Sequence, residues 1–271
     1  HGPYYSPFNK RYNLMCKAFD AIFLKKYIKQ NTQFIVKSNL AKKFLVDKGI
    51  EQSNVHTVGV GIDTEMLASN RVVCNDEIYR KMLADKDVIK ILYVGRFEER
   101  RNIRFIIDVF QKVQVQNDKV KLYMIGTGEK EYVQSCFSYI NELGLKDKVV
   151  WQEKMEQKFL SGIYQLADFF VLPTEYEIFG MVLLEAMYYK TVVLTTQNGG
   201  SSTVMCNGKN GYVIQTKDPR KWANVITDTY KDKGKMKMIQ NNAHEEIEKK
   251  YTWDMVSEQF LIQYNELLEK Q

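Results

Sequence analysis

The chain has 271 residues, 45% of them hydrophobic and 27% charged, with 39 Lys and Arg against 33 Asp and Glu. That length and apolar content supply one large or two modest cores. The longest apolar runs fall well short of the roughly 20 residues that span a bilayer, which makes the expectation a soluble or peripheral protein rather than an integral one. Four scattered cysteines, Cys16, Cys74, Cys136 and Cys206, show no C-x-x-C spacing. They argue against a zinc site or disulfide framework and for a reducing compartment. Buried free thiols are the expectation for all four.

Hydrophobic periodicity gives an alternating order of strands and helices, which calls for a mainly parallel sheet covered on both faces. Residues 10–29 read as an amphipathic helix, 34–36 as a strand, 40–47 as a helix and 55–58 as a strand. Polar residues 64–87 read as a linker with a short helix, and 88–95 opens a new unit. There the order is helix 102–116, strand 120–125, helix 129–143, strand 148–151, helix 156–165, strand 168–172, helix 179–189 and strand 191–195. A strand at 212–214 and helices at 218–230, 234–249 and 253–269 complete the chain. Of the four prolines only Pro219 falls in one of these helical runs, in the first turn of 218–230 where proline is tolerated, so nothing breaks them.

Charge is unevenly placed. Residues 1–60 hold ten Lys and Arg against three acids, whereas the other 211 residues hold 29 and 30. Tyr4, Tyr5, Phe8, Tyr12, Phe19, Phe23 and Tyr27 are interleaved with that basic excess. A solvated basic face explains the pattern most simply. An anionic membrane surface or phospholipid-linked acceptor is the second reading. No nucleic-acid partner is expected, for there is no RNP motif or GXXG clamp.

Two carboxylates, Glu177 and Glu185, stand eight residues apart across the start of an apolar helix, just after the strand Asp168–Leu172. A helix start offers unpaired N–H groups and a positive dipole end, both suited to a diphosphate. At about 1.5 Å per residue, Glu185 lies roughly 8 Å further along the axis. Acidic residues near a helix start are also common for dipole reasons alone, so the spacing does not decide the matter by itself. Arg96 and Arg101 follow another strand, where ligands gather in open α/β sheets. Two guanidinium groups there can neutralise a leaving diphosphate. Gly126 and Gly128 read as turn glycines, because no third glycine completes a dinucleotide fingerprint. Trp151 alternates with Val149 and reads as a core anchor. His56 and His244 read as surface or packing residues.

The run from Phe169 to Gly200 resembles the E-x7-E signature of retaining family 4 glycosyltransferases, which have the two-domain GT-B fold. Val94-Gly95-Arg96 through Arg101-Asn102 is similar to that family's GR-x4-K-G loop, with Arg for Lys and Asn for Gly. Ile125-Gly126-Thr127-Gly128 is similar to its G-x-G turn, and Asn198-Gly199-Gly200 to the loop facing the donor diphosphate, although Ser201-Ser202 stands where the family has Pro-Glu. Thr57 to Asp63 resembles the segment closing the first domain, Tyr251-Thr252-Trp253 the start of the last helix, and His1-Gly2 the His-Gly after the first domain's fourth strand. Val149 to Met155 is similar to the base-reading V-x-F-x-G loop, with Glu153 for Gly.

The resemblance implies an α/β, GT-B-like protein: a Rossmann-like parallel-sheet domain with helices on both faces, preceded by a partial second Rossmann-like domain. Residues 1–70 would be the remnant of the acceptor-side domain, 71–250 the nucleotide-sugar domain and 251–271 a helix packing back on the first domain. Most of that first domain would precede His1, and activity would require it. Glu177 would position the donor sugar, and His1 would face that sugar across the cleft. Phe179, Gly180 and Met181 would present backbone N–H groups to phosphate. Gly95, Gly199 and Gly200 would line the donor, Glu185 would hold the ribose, and Arg96 and Arg101 would stabilise the departing diphosphate. No cofactor is implied, the nucleotide-diphosphate sugar being a substrate, and no Asp-x-Asp motif suggests a metal. The expected reaction is sugar transfer with retention to a polysaccharide or lipid-linked glycan precursor, in the cytoplasm or on the inner face of the membrane. A sugar-nucleotide-binding module without transfer activity, an epimerase of the same fold and a nucleic-acid-binding protein are the alternatives.

Overall fold

A computed structural model describes residues 10–64, 76–174 and 176–269. His1, Gly2, Cys74 and Glu175 lie outside the described residues, and so does the expectation attached to His1. The first unit opens with α1 (Lys10–Phe19), which passes through a π-helical turn at Asp20–Leu24 into α2 (Lys25–Lys29). Leu14, Met15 and Ile22 on this stretch are exposed. Strands β1 (Phe34–Val36) and β2 (Val55–Thr57) pair in parallel, joined by α3 (Asn39–Asp47). The buried Asp20 pairs at 3.2 Å with Lys48, the residue just past α3, and so ties the opening helices to this strand–helix unit. Ser38 caps α3 by accepting the Ala41 N–H at 3.1 Å. Val36, Ala41, Leu45, Ile50 and Val55 form its small core.

The second unit begins with α4 (Glu77–Ala84) and then alternates strand and helix. Its elements are β3 (Ile89–Val94), α5 (Ile103–Gln116), β4 (Val120–Ile125), α6 (Lys130–Glu142), β5 (Val149–Gln152), α7 (Gln157–Leu166) and β6 (Phe169–Leu172). There follow α8 (Met181–Tyr188), β7 (Val192–Thr195), a short α9 (Ser201–Val204), β8 (Tyr212–Val213), α10 (Pro219–Lys231), α11 (Lys233–Lys250) and α12 (Trp253–Leu268). All six strands are parallel, in the order β5-β4-β3-β6-β7-β8. Strands β6 and β7 are buried along their whole length, because helices cover both faces.

Strand order dictates where the helices lie. Right-handed crossovers send α5 and α6 over one face as the chain moves toward β5, and α7 and α8 over the other as it moves toward β8. The packing agrees: α10 lies on α5, α11 on α8, and α4 on α7. The order reverses between β3 and β6, and a crevice opens outside the carboxyl ends of strands at such a switch point.

Among the described residues, backbone and side-chain hydrogen bonds join the units at the following points. The Asn39 N–H donates to Thr203 Oγ1 at 3.0 Å, and the Asn39 amide to the Ser202 carbonyl at 3.0 Å. Ile62 donates to the Tyr251 carbonyl at 2.8 Å and accepts from Trp253 N–H at 3.1 Å, so the last helix starts against the end of the first unit.

Two expectations need correction. Trp151 is 37% exposed rather than a core anchor, because β5 is an edge strand and its α6 side is only partly covered. Cys206 is exposed and Cys16 half-buried, leaving Cys136 as the buried thiol among the described cysteines. Burial pushes the Cys136 thiol up from its ordinary value. The helix turn at Ser201–Val204 was not expected. Asn198 and Ser201 cap it reciprocally, Asn198 N–H donating to Ser201 Oγ at 2.8 Å and Ser201 N–H to Asn198 Oδ1 at 3.0 Å.

Candidate functional site

The loops leaving β3 and β6 flank the switch point and are stitched together. Asn102 sits in the left-handed region, φ 54°, and its side-chain amide donates to the Pro173 carbonyl at 2.9 Å. Asn tolerates that conformation better than other side-chain-bearing residues, which accounts for Asn where the resembling pattern has Gly. Thr174 Oγ1 donates toward the Arg100 carbonyl at 3.1 Å, and Arg100 Nη1 donates to the Tyr176 carbonyl at 2.9 Å.

Inside this frame, Glu177 forms an ion pair with Arg101, with Arg100 Nη1 a further 3.7 Å from the same carboxylate oxygen. The other oxygen accepts the Ile178 N–H at 3.1 Å. The Glu177 and Arg101 side chains are only 13% and 14% exposed. Arg101 Nη1 and Glu177 Oε2 are the paired atoms, while the enclosed Arg101 Nε makes no hydrogen bond. Buried donors without acceptors are costly, so the guanidinium remains able to accept an anion. Arg96, by contrast, turns outward, 72% exposed, and pairs with Glu98 at 2.8 Å. Glu98 also holds Arg100 at 2.7 Å, so the three arginines are linked through two acids.

Helix α8 begins one residue past Gly180, whose φ of 82° is left-handed. A side chain there would be strained, and its Cβ would stand 3.0 Å from Glu177 Cγ. Glycine therefore lets the chain turn from Glu177 into the helix, whose first-turn N–H groups lack intrahelical acceptors. Phe179 itself is buried, and Met181 half-buried. Gly199 and Gly200 pack against this turn: the Gly199 N–H donates to the Glu177 carbonyl at 3.1 Å. Side chains at 199 and 200 would overlap the carbonyls of Ile178 and Phe179. The two glycines thus shape the Glu177 turn whether or not a phosphate lies against them.

Glu185 occupies quite different surroundings. It is 9% exposed and accepts the Tyr164 hydroxyl at 3.0 Å. Burial raises its carboxyl above the ordinary value, offset in part by hydrogen bonds from Tyr164 and Gln157. Tyr164 is fully buried, stacked on Tyr189 with ring centroids 6.0 Å apart. Sequence reasoning passed over Tyr164, since one tyrosine in an apolar helix carries no signal. It also passed over Arg100. Among the described residues, no group of three or more His, Cys, Asp or Glu side chains is placed to hold a metal ion.

A doubly wound sheet with an Arg–Glu pair at its switch point, beside a helix start and a buried glutamate, defines the class: an α/β protein of GT-B-like fold. Residues 75–246 match the glycosyl transferases group 1, and the chain belongs to that family. An uncharacterized glycosyltransferase of Methanocaldococcus jannaschii is 30% identical over 70% of this chain and 48% of its own. CapM of Staphylococcus aureus, a capsular polysaccharide biosynthesis glycosyltransferase, is 28% identical over 87% of this chain and 59% of its own. The chain thus spans about half the length of these curated relatives. Among solved structures, HepE from Anabaena in complex with UDP superposes with a TM-score of 0.81 at 17% identity, over 97% of this chain and 70% of that one. At that identity the likeness is one of fold.

Proposed function

We propose that this chain carries the donor site of a retaining, metal-independent glycosyltransferase of the family 4 kind, which takes a sugar from a nucleoside-diphosphate sugar. The observation that carries the reading is the enclosed Arg101 guanidinium at the switch point, paired through Nη1 with Glu177 yet with Nε free of hydrogen bonds. A diphosphate reaching Arg101 would give the Nε–H an acceptor, replace Glu177 at Nη1 and release that carboxylate toward the sugar. Arg96, exposed at the rim, would close over the same phosphates. The Phe179–Gly180–Met181 backbone would add donors at the helix start, with Gly95, Gly199 and Gly200 lining the crevice. Glu185 would accept the ribose hydroxyls on its remaining capacity while Tyr164 fixes its orientation. As the bond from sugar to phosphate breaks, negative charge grows on the leaving diphosphate, and the arginines stabilise it electrostatically. His1 would contribute from the acceptor side.

Solved structures of HepE with UDP and with UDP-glucose support the donor class. Relatives named for capsular polysaccharide and lipopolysaccharide transfer support a glycan or lipid-linked acceptor. The basic helix over residues 10–29 would lie near an anionic membrane surface. No helix among the described residues is long and apolar enough to cross one. Residues 1–70 would belong to the acceptor-side domain and 71–250 to the donor domain. The last helix, 251–271, would rejoin the first domain. Calorimetric titration with UDP, GDP and ADP tests the donor site: one of the three is expected to bind. Binding by none of them would defeat the proposal.

A further inference from the structure

The face of the sheet opposite Glu185 carries a second cleft. Along β5 the side chains alternate, and Gln152 donates to Asp76 at 3.1 Å just ahead of α4. Trp151 therefore points the other way, toward α6. There its ring centroid lies 4.8 Å from that of Phe137 and 6.5 Å from that of Phe97, and its indole N–H donates to the Gly126 carbonyl at 2.9 Å. The ring is held by Phe97, Phe137 and the Gly126 carbonyl and is still 37% exposed. It borders a cleft of about 750 Å³ lined also by Val133, Phe137, Gln134, Ser138 and Asn141 of α6.

The composition of this lining selects a ligand class. Gln134, Ser138 and Asn141 fall on one stripe of α6 and are exposed. Their amides and hydroxyl offer both donors and acceptors. Lys130 and Glu153 at the margins cancel in charge, unlike the crevice with its three arginines, so a phosphate-bearing ligand has no preference for this side. An amphipathic peptide helix would want apolar anchors repeated over two turns. Here α6 offers only Val133 and Phe137, one turn apart. A fixed aromatic ring beside neutral hydrogen-bonding side chains suits a molecule with apolar C–H faces and a rim of hydroxyls, and an immobile ring loses little entropy on binding.

We propose that the cleft between α6 and the end of β5 is a glycan-binding subsite, separate from the switch-point crevice, with Trp151 as its aromatic platform. The choice of a glycan rests on the glycosyltransferase reading. The subsite would hold a segment of acceptor or product remote from the reacting sugar.

Titration of the protein with maltohexaose, cellohexaose and chitohexaose tests it, with UDP titrated in parallel. At least one hexasaccharide is expected to bind. Trp151→Ala should weaken that binding by about tenfold or more, and Trp151→Phe should largely retain it. Because Trp151→Ala also opens the Phe97–Phe137 cluster, the exposed pair Gln134→Ala and Asn141→Ala gives an independent reading and should weaken binding by a similar factor. UDP affinity should be the same in the Gln134→Ala and Asn141→Ala variants as in wild type. Failure of all three sugars to bind, equal binding in the variants, or displacement of the sugar by UDP would overturn the subsite. Glycan binding with no nucleotide binding would instead sink the donor-site proposal and leave the cleft standing.

Discussion

Glu177 and Glu185 are the same side chain eight residues apart, and the fold treats them in opposite ways. Glu177 lies in the turn before α8, enclosed among guanidinium groups from the β3 loop. Glu185 lies inside the helix among neutral aromatic and amide groups, where burial raises its carboxyl above the ordinary range. One carboxylate is held by charge and the other by hydrogen bonds. The difference teaches that one spacing yields two electrostatic settings, an ionic locus and a neutral hydrogen-bonded one, which the proposed reading assigns to a diphosphate and to ribose hydroxyls.

The largest expected effect comes from breaking the ionic side. Arg101→Ala leaves Glu177 enclosed beside only the more distant Arg100, and removing one partner of a buried pair costs about 3 kcal/mol or more. Urea denaturation should show that loss, and Arg101→Lys should recover part of it. Turnover should fall on the order of a hundredfold in Glu177→Ala, the scale of losing one transition-state contact, with nucleotide affinity changed far less. Equal turnover would remove Glu177 from the chemistry.

On the polar side the effects are smaller. Glu185→Ala should weaken nucleotide binding by about ten- to a hundredfold, the worth of a hydrogen bond to a charged group. Tyr164→Phe, which keeps the ring and removes only the hydroxyl on Glu185, should cost less, about fivefold. It should also move the pH dependence of binding, which a purely structural tyrosine would not.

The polar side also carries a pH response. A carboxyl raised in the folded state binds a proton that the unfolded chain has released, so Glu185 contributes stability at low pH that is lost as pH rises through its raised value. Ribose hydroxyls donate to the ionised form, so nucleotide binding should release a proton and weaken on acidification below that value. Glu185→Gln should flatten that profile. An identical slope in wild type and Glu185→Gln would place the titrating group elsewhere.

The sequence made one side of this comparison far more legible than the other. Continuous apolar runs such as Phe169–Leu172 and Val192–Thr195 announce strands buried on both faces, and the alternation of elements indicates a parallel sheet. The depth of Glu185 in its helix follows from local rise alone. The Arg101–Glu177 pair does not, because it depends on β3 and β6 being neighbours, which comes from strand order. The reason for Gly199 and Gly200 is likewise distant in sequence, since the atoms they make room for belong to Ile178 and Phe179. Trp151 was misread because period-two alternation identifies two faces of a strand without saying which is covered. At a sheet edge that distinction decides exposure. The Asn198–Ser201 cap was locally readable, as a polar pair three residues apart opening a short helix.

The central claim is that one nucleotide bridges the ionic and polar loci, its phosphates at Arg101 and its ribose at Glu185. Calorimetric affinities for UDP and UMP, or for the GDP or ADP pair if that base is preferred, should be compared among wild type, Arg101→Lys and Glu185→Gln. The account predicts that Arg101→Lys narrows the advantage of diphosphate over monophosphate, whereas Glu185→Gln weakens both ligands by one common factor. An unchanged diphosphate advantage in Arg101→Lys, together with unchanged affinity for both ligands in Glu185→Gln, would contradict it.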